Sequence, residues 1–308
     1  MALLEVKDLK VHYPIHGGIL GRVVGYVKAV DGVSFSIEAG QTIGLVGESG
    51  SGKSTIGKAI LGLTHITAGT IYYDGKNITK YVRKNRSPYR KSVQMIFQDV
   101  YSSLNPRKRV LDIIAEPIRN FEKLSKAEER KRVDELLAIV GMTPDNASKY
   151  PFEFSGGQRQ RIGVARAIAL KPRLIVCDEP VSALDLSVQA QVLNHLKDIQ
   201  QELGMAYLFI SHDLGVVRHM CEDLAIMHRA RFVEFGSRGD IYDNATHIYT
   251  QRLIAAIPDI DPTKRAENAQ RRVEITSLYE KELHTYYKDG TDVYDLKPIS
   301  ATHAVAVQ

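Results

Sequence analysis

Between Val27 and Ile37, apolar side chains recur at Val27, Ala29, Val33, Phe35 and Ile37, close to the two-residue alternation of a half-buried strand. Thr42–Val46 is a short apolar run that ends at a glycine, and Thr70–Tyr73 followed by Asp74-Gly75 predicts a strand entering a hairpin turn. These pieces predict a small β-rich layer at the N-terminal end. The period then becomes helical. Ser125 with Glu128 fits a capping box, and Val133, Leu136, Leu137 and Val140 form one apolar face that stops before Gly141. Leu174–Cys177 and Tyr207–Ile210 are apolar throughout and read as buried parallel strands. Between them, a helix over Ser187–Leu203 places Val188, Val192, Leu196 and Ile199 on one side. Strand, helix and strand at this spacing argue for a doubly wound α/β core. Beyond Pro258 the texture changes. Residues 263–308 hold seven Lys/Arg, seven Asp/Glu and several Tyr without a strong apolar period, which predicts an appended tail, partly ordered at best.

Composition narrows the class. Of 308 residues, 44% are hydrophobic and 25% charged, the balance of a folded globular chain and not of a disordered one. The net charge of +5 permits an anionic ligand or membrane surface without demanding nucleic acid. No apolar run approaches the roughly 18 residues of a membrane span. Glu5, Lys7 and Asp8 stand where a secretion signal would be apolar. The two cysteines, Cys177 and Cys221, are too far apart in sequence to form a Cys-x-x-Cys metal site, and they read as small core hydrophobes in a cytoplasmic protein.

The chemistry begins at Gly47-Glu48-Ser49-Gly50-Ser51-Gly52-Lys53-Ser54, which matches G-x-x-x-x-G-K-[ST] between an apolar strand and a helix carrying Ile56, Ile60 and Leu61. Glycines let the backbone curl so that successive N–H groups face one anion. Lys53 supplies a point charge for β- and γ-phosphates, Ser54 a hydroxyl for Mg²⁺, and the helix its positive end. The strand Leu174–Cys177 then delivers Asp178 and Glu179 at its carboxyl end, where side chains of an open α/β sheet reach the ligand crevice. The first acid is placed to hold Mg²⁺ and the second to polarise an attacking water. Ser155-Gly156-Gly157-Gln158 opens a helix running through Ile162, Ala165 and Ile168, and a Ser with two Gly at a helix start is a second anion site. Because the first loop already serves one triphosphate, this element reads as a cap on nucleotide held by a paired molecule. Ser155 acting simply as an N-cap is the alternative.

Ser155–Gln158 with Arg159-Gln160-Arg161 resembles the signature of ABC transporter ATP-binding subunits. Gln98 sits where that family has its Q-loop glutamine, Ser182-Ala183-Leu184-Asp185 resembles the D-loop, and His212 matches the switch histidine. The resemblance implies a RecA-like P-loop NTPase core with a mainly parallel sheet and an N-terminal antiparallel β layer. It further implies a helical subdomain inserted at about 99–165 of a cassette over 1–257, and a C-terminal extension over 258–308. It implies two ATP molecules sandwiched in a head-to-tail dimer. Gly47, Ser49, Gly50, Ser51, Gly52, Lys53, Ser54 and Thr55 would cradle phosphates, and Ser54, Asp178 and Gln98 would serve Mg²⁺. Glu179 would be the general base, His212 a γ-phosphate contact, and Gln98 a link to membrane subunits. Ser155, Gly156, Gly157 and Gln158 would close on the partner's nucleotide, with Asp185 communicating across the interface. Tyr13 is the candidate for stacking on adenine, and Tyr26 is the alternative because Pro14–Gly25 reads as an insertion. Phe154 departs from the family's commoner Leu and remains apolar.

Phe97-Gln98-Asp99-Val100-Tyr101-Ser102-Ser103-Leu104-Asn105-Pro106-Arg107 and His247-Ile248-Tyr249-Thr250-Gln251-Arg252-Leu253 resemble segments of oligopeptide, dipeptide and nickel importers, with Val100 and Ile248 where Pro is commoner. No cysteine follows Cys221, so the iron–sulfur cluster of some members is not expected, and the chain resembles the second, F-type ATP-binding subunit of an oligopeptide importer. That resemblance implies four partners: a second homologous ATP-binding subunit in a heterodimer, two transmembrane permease subunits, and an extracellular or periplasmic peptide-binding protein. It places the chain peripherally on the cytoplasmic face of the membrane. Nickel or dipeptide uptake is the nearer alternative; a soluble ABC ATPase acting on DNA or the ribosome is the more distant one. The run Arg83, Lys84, Arg86, Arg90 and Lys91 reads as a solvated face near an anionic membrane and not as a nucleic-acid site. His195, His219 and His228 read as structural or surface residues, and Tyr286 and Tyr287 as either a partner contact or part of an exposed tail.

Overall fold

The computed structural model describes residues 2–18, 21–80, 88–99, 103–257, 265–289 and 291–308, without the side chains of 265–268. Val100, Tyr101 and Ser102 of the Q-loop segment, Arg83, Lys84 and Arg86 of the basic run, and 258–262 lie outside these described residues.

Two sheets organise the chain. The first is antiparallel, with β1 (Leu4–Gly17) between β2 (Arg22–Ile37) and β4 (Ala68–Tyr73), and β5 (Lys76–Asn77) at its edge across the Asp74-Gly75 turn. The second holds eight strands among the described residues, in the order β13 (Leu296–Pro298), β14 (Ala304–Ala306), β10 (Arg231–Ser237), then β9-β3-β8-β7-β6. Its parallel part is β9 (Asp223–His228), β3 (Thr42–Val46), β8 (Ala206–Ser211), β7 (Leu174–Asp178) and β6 (Val93–Ile96).

The apolar-throughout strands have a direct explanation. Successive side chains of a strand point to opposite faces, and here both faces are covered. Ile43, Leu45, Leu174, Val176, Leu208 and Ile210 pack under the antiparallel sheet and the helix Lys53–Ile60. Val46, Ile175, Cys177, Tyr207 and Phe209 pack on the opposite side with the helices Gly156–Ile168 and Leu186–Leu203. Cys177 and Cys221 are both buried free thiols whose pKa burial raises, so the core-hydrophobe reading agrees with their place. The helices Val110–Phe121 and Lys126–Ile139 complete a helical layer, and Ser125 and Glu128 form the expected capping box. Val133, Leu136, Leu137 and Val140 all face its core. None of the described helices is long and apolar enough to cross a membrane.

The reading of 263–308 as a loosely appended tail is overturned. After the antiparallel β10 (Arg231–Ser237), the helix Ile248–Ala255 and the hairpin β11–β12 (Tyr287–Lys288, Asp292–Val293), the chain returns. It lays β13 (Leu296–Pro298) and β14 (Ala304–Ala306) on the main sheet, with Glu234 opposite Val305 and Phe235 opposite Ala304. Three-residue strands are too short to show a period, and the partner that ties β14 to the sheet, β10, lies about seventy residues away in sequence. Tyr287 is buried and pairs with His228, and Tyr286 donates to the Thr246 carbonyl, so neither is a free surface residue.

A buried, hydrogen-bonded carboxyl group locks this return. Glu234 is 0% exposed and accepts from the Thr246 and His247 N–H groups and from His303 Nε2 at 2.7 Å. Removing one hydrogen-bond partner of a buried polar group leaves its desolvation uncompensated. His303→Ala is therefore expected to destabilise the protein by about 2–3 kcal/mol, read as a lower denaturation midpoint. An unchanged midpoint would show that Glu234 is satisfied without the tail.

Candidate nucleotide site

Because β3, β8, β7 and β6 are consecutive and parallel, their carboxyl ends form one row at strand spacings of about 4.8 Å. The first end carries the phosphate loop, the second His212, the third Asp178 and Glu179, and the fourth leads to Gln98. A cavity of about 570 Å³ opens here, lined by Ser49, Gly50, Gly52, Lys53, Ser54, Thr55, Gln98, Glu179 and His212, with Ala29, Glu48 and Leu253 completing its wall.

Two glycines set the loop's shape. Gly52 has φ +112°, and a Cβ there would lie 2.0 Å from the Ala29 carbonyl oxygen. At Gly47 a Cβ would lie 2.1 Å from the carbonyl oxygen of Met227. Neither position accepts a side chain without backbone movement. Gly47 and buried Ser51 support the loop from behind, and the rest face the cavity. The ammonium of Lys53 donates to the Gly47 and Glu48 carbonyl oxygens at 2.7 and 2.8 Å. Burial pulls its pKa down, while Glu179, Asp178 and Glu48 pull it up.

On the cavity wall, Ser54 Oγ donates to Asp178 Oδ1, just behind it, at 2.8 Å. Burial raises the Asp178 pKa against the lowering effect of that hydroxyl. A hydroxyl and a half-compensated buried carboxylate are hard oxygen donors of the kind Mg²⁺ takes. The donor set therefore fits the ion. Glu179 has φ +47°, a left-handed conformation costing a non-glycine residue about 1–2 kcal/mol. Its N–H donates to the Ile210 carbonyl, and its carboxylate is held by Gln98 Nε2 at 2.6 Å on one oxygen and His212 Nδ1 at 3.0 Å on the other. Strain of this sort belongs to sites where a side chain must be aimed.

Other expected residues stand elsewhere. Tyr13 does not line the cavity; β1 pairs it with Val27, and its hydroxyl meets Thr64 Oγ1 at 2.9 Å. Tyr26 lies opposite Pro14 farther out on the same hairpin, exposed and also outside the cavity lining. Ser155 and Gln158 form a capping box at the start of the helix Gly156–Ile168, outside the cavity, so the N-cap reading of Ser155 describes its local role. Gly157 lies against Val188, where a Cβ would come within 2.6 Å of a methyl carbon. Asp185 caps the helix Leu186–Leu203 through the Val188 N–H, so the two helix starts are joined back to back. His228 is half-buried and stacks on Tyr249. No group of three or more metal-ligating His, Cys, Asp or Glu side chains occurs among the described residues.

Leu253, Tyr249 and Arg252 reach this site without having been assigned to it from the sequence. The one sequence signal at these positions is their place in the segment His247–Leu253, whose resemblance concerns the type of importer.

Comparison with known proteins agrees with this geometry. The ABC transporter family matches residues 30–182, and the oligopeptide/dipeptide transporter C-terminal region matches residues 233–282. The oligopeptide transport ATP-binding protein OppF of Lactococcus lactis subsp. lactis is 58% identical over 306 residues, covering 99% of this chain and 96% of the relative. The oligopeptide transport ATP-binding protein AppF of Bacillus subtilis is 49% identical over 83% of this chain and 78% of its own length. Among solved structures, a dimeric ATP-binding cassette in a post-hydrolysis state bound to ADP and Pi aligns with a TM-score of 0.66 and 26% identity, over 76% of this chain and 98% of that one. CbiO1 of Clostridium perfringens, part of an ABC transporter complex, aligns with a TM-score of 0.68 and 26% identity over 82% and 95%. Since both the cassette and the C-terminal region are matched, and a relative aligns along nearly the whole of each chain, the chain belongs to the ATP-binding subunits of ABC transporters, in the oligopeptide/dipeptide importer family.

Proposed function

We propose that the chain hydrolyses ATP to energise uptake of oligopeptides, working as one of two ATP-binding subunits beneath two membrane subunits that receive substrate from an extracellular or periplasmic binding protein. The observation that supports this best is the aim of Glu179, a strained carboxylate oriented by Gln98 and His212 opposite a phosphate loop. Lys53, Ser54 and the loop N–H groups hold the triphosphate. Asp178, Ser54 and Gln98 are the residues that would hold Mg²⁺, which when bound offsets charge on the phosphate oxygens. Glu179 takes the proton of the attacking water, and His212 contacts the γ-phosphate.

The signature helix carries the pairing argument. Ser155, Gly156, Gly157 and Gln158 present a helix start outside this chain's own cavity, which suits the nucleotide of a second, head-to-tail subunit. Asp185 stands beside it, joined through Val188, and carries the state of one site to the other. ATP bound between subunits favours the closed pair, and loss of the bridging phosphate releases it. Gln98 and the segment leading to Pro117 pass that motion to the membrane subunits. The chain acts peripherally, on the cytoplasmic face, with its own part of the division at about residue 257 being the cassette and the remainder the extension.

A strain lacking the chromosomal copy tests this. With the wild-type chain supplied, cells auxotrophic for one amino acid are expected to grow on an oligopeptide containing it, and with Lys53→Ala they are not. Growth restored equally by both would remove ATP use at this site from the uptake role. Growth on peptide without any copy, alongside loss of nickel-dependent growth, would move the substrate to nickel.

A further inference from the structure

The helix Ile248–Ala255 follows the matched cassette, yet it reaches the nucleotide cavity with Tyr249, Arg252 and Leu253. Residues three and four apart lie on one helix face. Leu253 lines the cavity itself. Arg252 Nη2 donates to the Glu48 carboxylate at 3.0 Å, and Tyr249 Oη accepts the Glu48 backbone N–H at 3.1 Å. Glu48 is the second residue of the phosphate loop, and its carbonyl is one of the acceptors that hold the Lys53 ammonium. One residue of the loop is thus gripped on its N–H and side chain by the C-terminal helix, and on its carbonyl by the phosphate-binding lysine.

Tyr249 is itself immobilised. It is fully buried and stacks on His228 with ring centroids 4.0 Å apart, and His228 Nδ1 meets Tyr287 Oη at 2.7 Å. Arg252 lies over the ring of Tyr279, 4.8 Å from its centroid. Beyond Glu48 the contacts pass from Tyr249 and Arg252 to His228 at the end of β9 and to Tyr279 and Tyr287 of the C-terminal extension.

We infer that Tyr249 and Arg252 are positioning residues for ATP, and that the helix Ile248–Ala255 is a structural wall of the nucleotide site, braced from behind by Tyr279 and Tyr287 of the C-terminal extension. A phosphate nest works only if each N–H direction is fixed before the anion arrives. Holding the Glu48 peptide fixes the entry to the nest and the anchor of Lys53 together. The inference rests on the ATP-site reading above.

The test uses the full chain and the assembled transporter, with ATP and magnesium as the probe. Tyr249→Phe removes the hydroxyl and keeps the ring that stacks on His228; Arg252→Gln removes the charge and keeps the stem. Each is expected to raise the Kd and KM for ATP about 3- to 10-fold, the worth of a hydrogen bond or a part-exposed ion pair, with kcat held within about twofold. Adding Glu48→Gln to Arg252→Gln is expected to cost nothing further in Kd, because the two groups share one interaction. A thermal midpoint that falls while KM stays at the wild-type value would overturn the inference, since that is the signature of packing alone. So would a KM unchanged with no loss of stability. If the wild-type chain retains no ATP, the ATP-site reading itself fails and takes this inference with it; if wild type and both variants bind alike, only the positioning role falls.

Discussion

Glu179→Gln is expected to keep ATP bound and to lower turnover in the assembled transporter about 10²- to 10³-fold, the range of a lost general base. The substitution is nearly isosteric, and one carboxamide oxygen still accepts from Gln98 or His212, so the side chain stays where the carboxylate was. It leaves the phosphate loop, Lys53 and Ser54 untouched. What disappears is the basic oxygen aimed across the cavity. The affinity for ATP is therefore expected to remain within a few-fold, and the closed, nucleotide-bound pair of subunits to accumulate. The measurement is steady-state phosphate release beside equilibrium ATP binding on the same preparation. Turnover within tenfold of wild type would show that another group takes the proton, and the strained backbone at Glu179 would then need a different explanation.

The second large effect is expected at Gly52. With φ at +112° and the Ala29 carbonyl oxygen 2.0 Å from the place of a Cβ, alanine there is wrong twice. The left-handed conformation costs about 1–2 kcal/mol, and the contact with strand β2 can be relieved only by moving the loop or the strand. Gly52 also supplies the carbonyl that accepts from the Thr55 and Ile56 N–H groups, so its displacement propagates into the first turn of the helix Lys53–Ile60. Gly52→Ala is expected to weaken ATP binding at least about 100-fold, equivalent to roughly 2.7 kcal/mol, while the rest of the fold persists on its two buried cores. Circular dichroism would check the fold and isothermal titration the affinity. Binding within about threefold of wild type would mean that the loop tolerates the side chain and that its shape is not set at Gly52.

The phosphate loop and the Asp178–Glu179 pair were legible from sequence for a physical reason. Each combines a local backbone requirement, glycines in one case and the end of a buried strand in the other, with residues of specific chemistry at short range. Gln98 and His212 were reached through family resemblance; their convergence on the two oxygens of Glu179 depends on β6, β7 and β8 being neighbours, which no local pattern states. Tyr13 shows the opposite case. The insertion between Pro14 and Gly25 obscured the strand register, and register decides which side chains can meet a site. Tyr249 and Arg252 lie about two hundred positions from Glu48, and nothing in their local pattern connects them to it. The tail was missed for the same reason: β14 has three residues and no period of its own, and its meaning comes from β10.

The place of β14 also has a consequence for how the protein is made. Residues 304–306 are synthesised about seventy positions after β10, yet they cover that strand's edge in the sheet that holds the nucleotide site. While the chain is still being extended, β10 presents unpaired N–H and C=O groups along that side. An open strand edge is a template for pairing with another chain. The nascent cassette therefore passes through a stage in which self-association competes with closure, and a chain cut before β14 would be held at that stage.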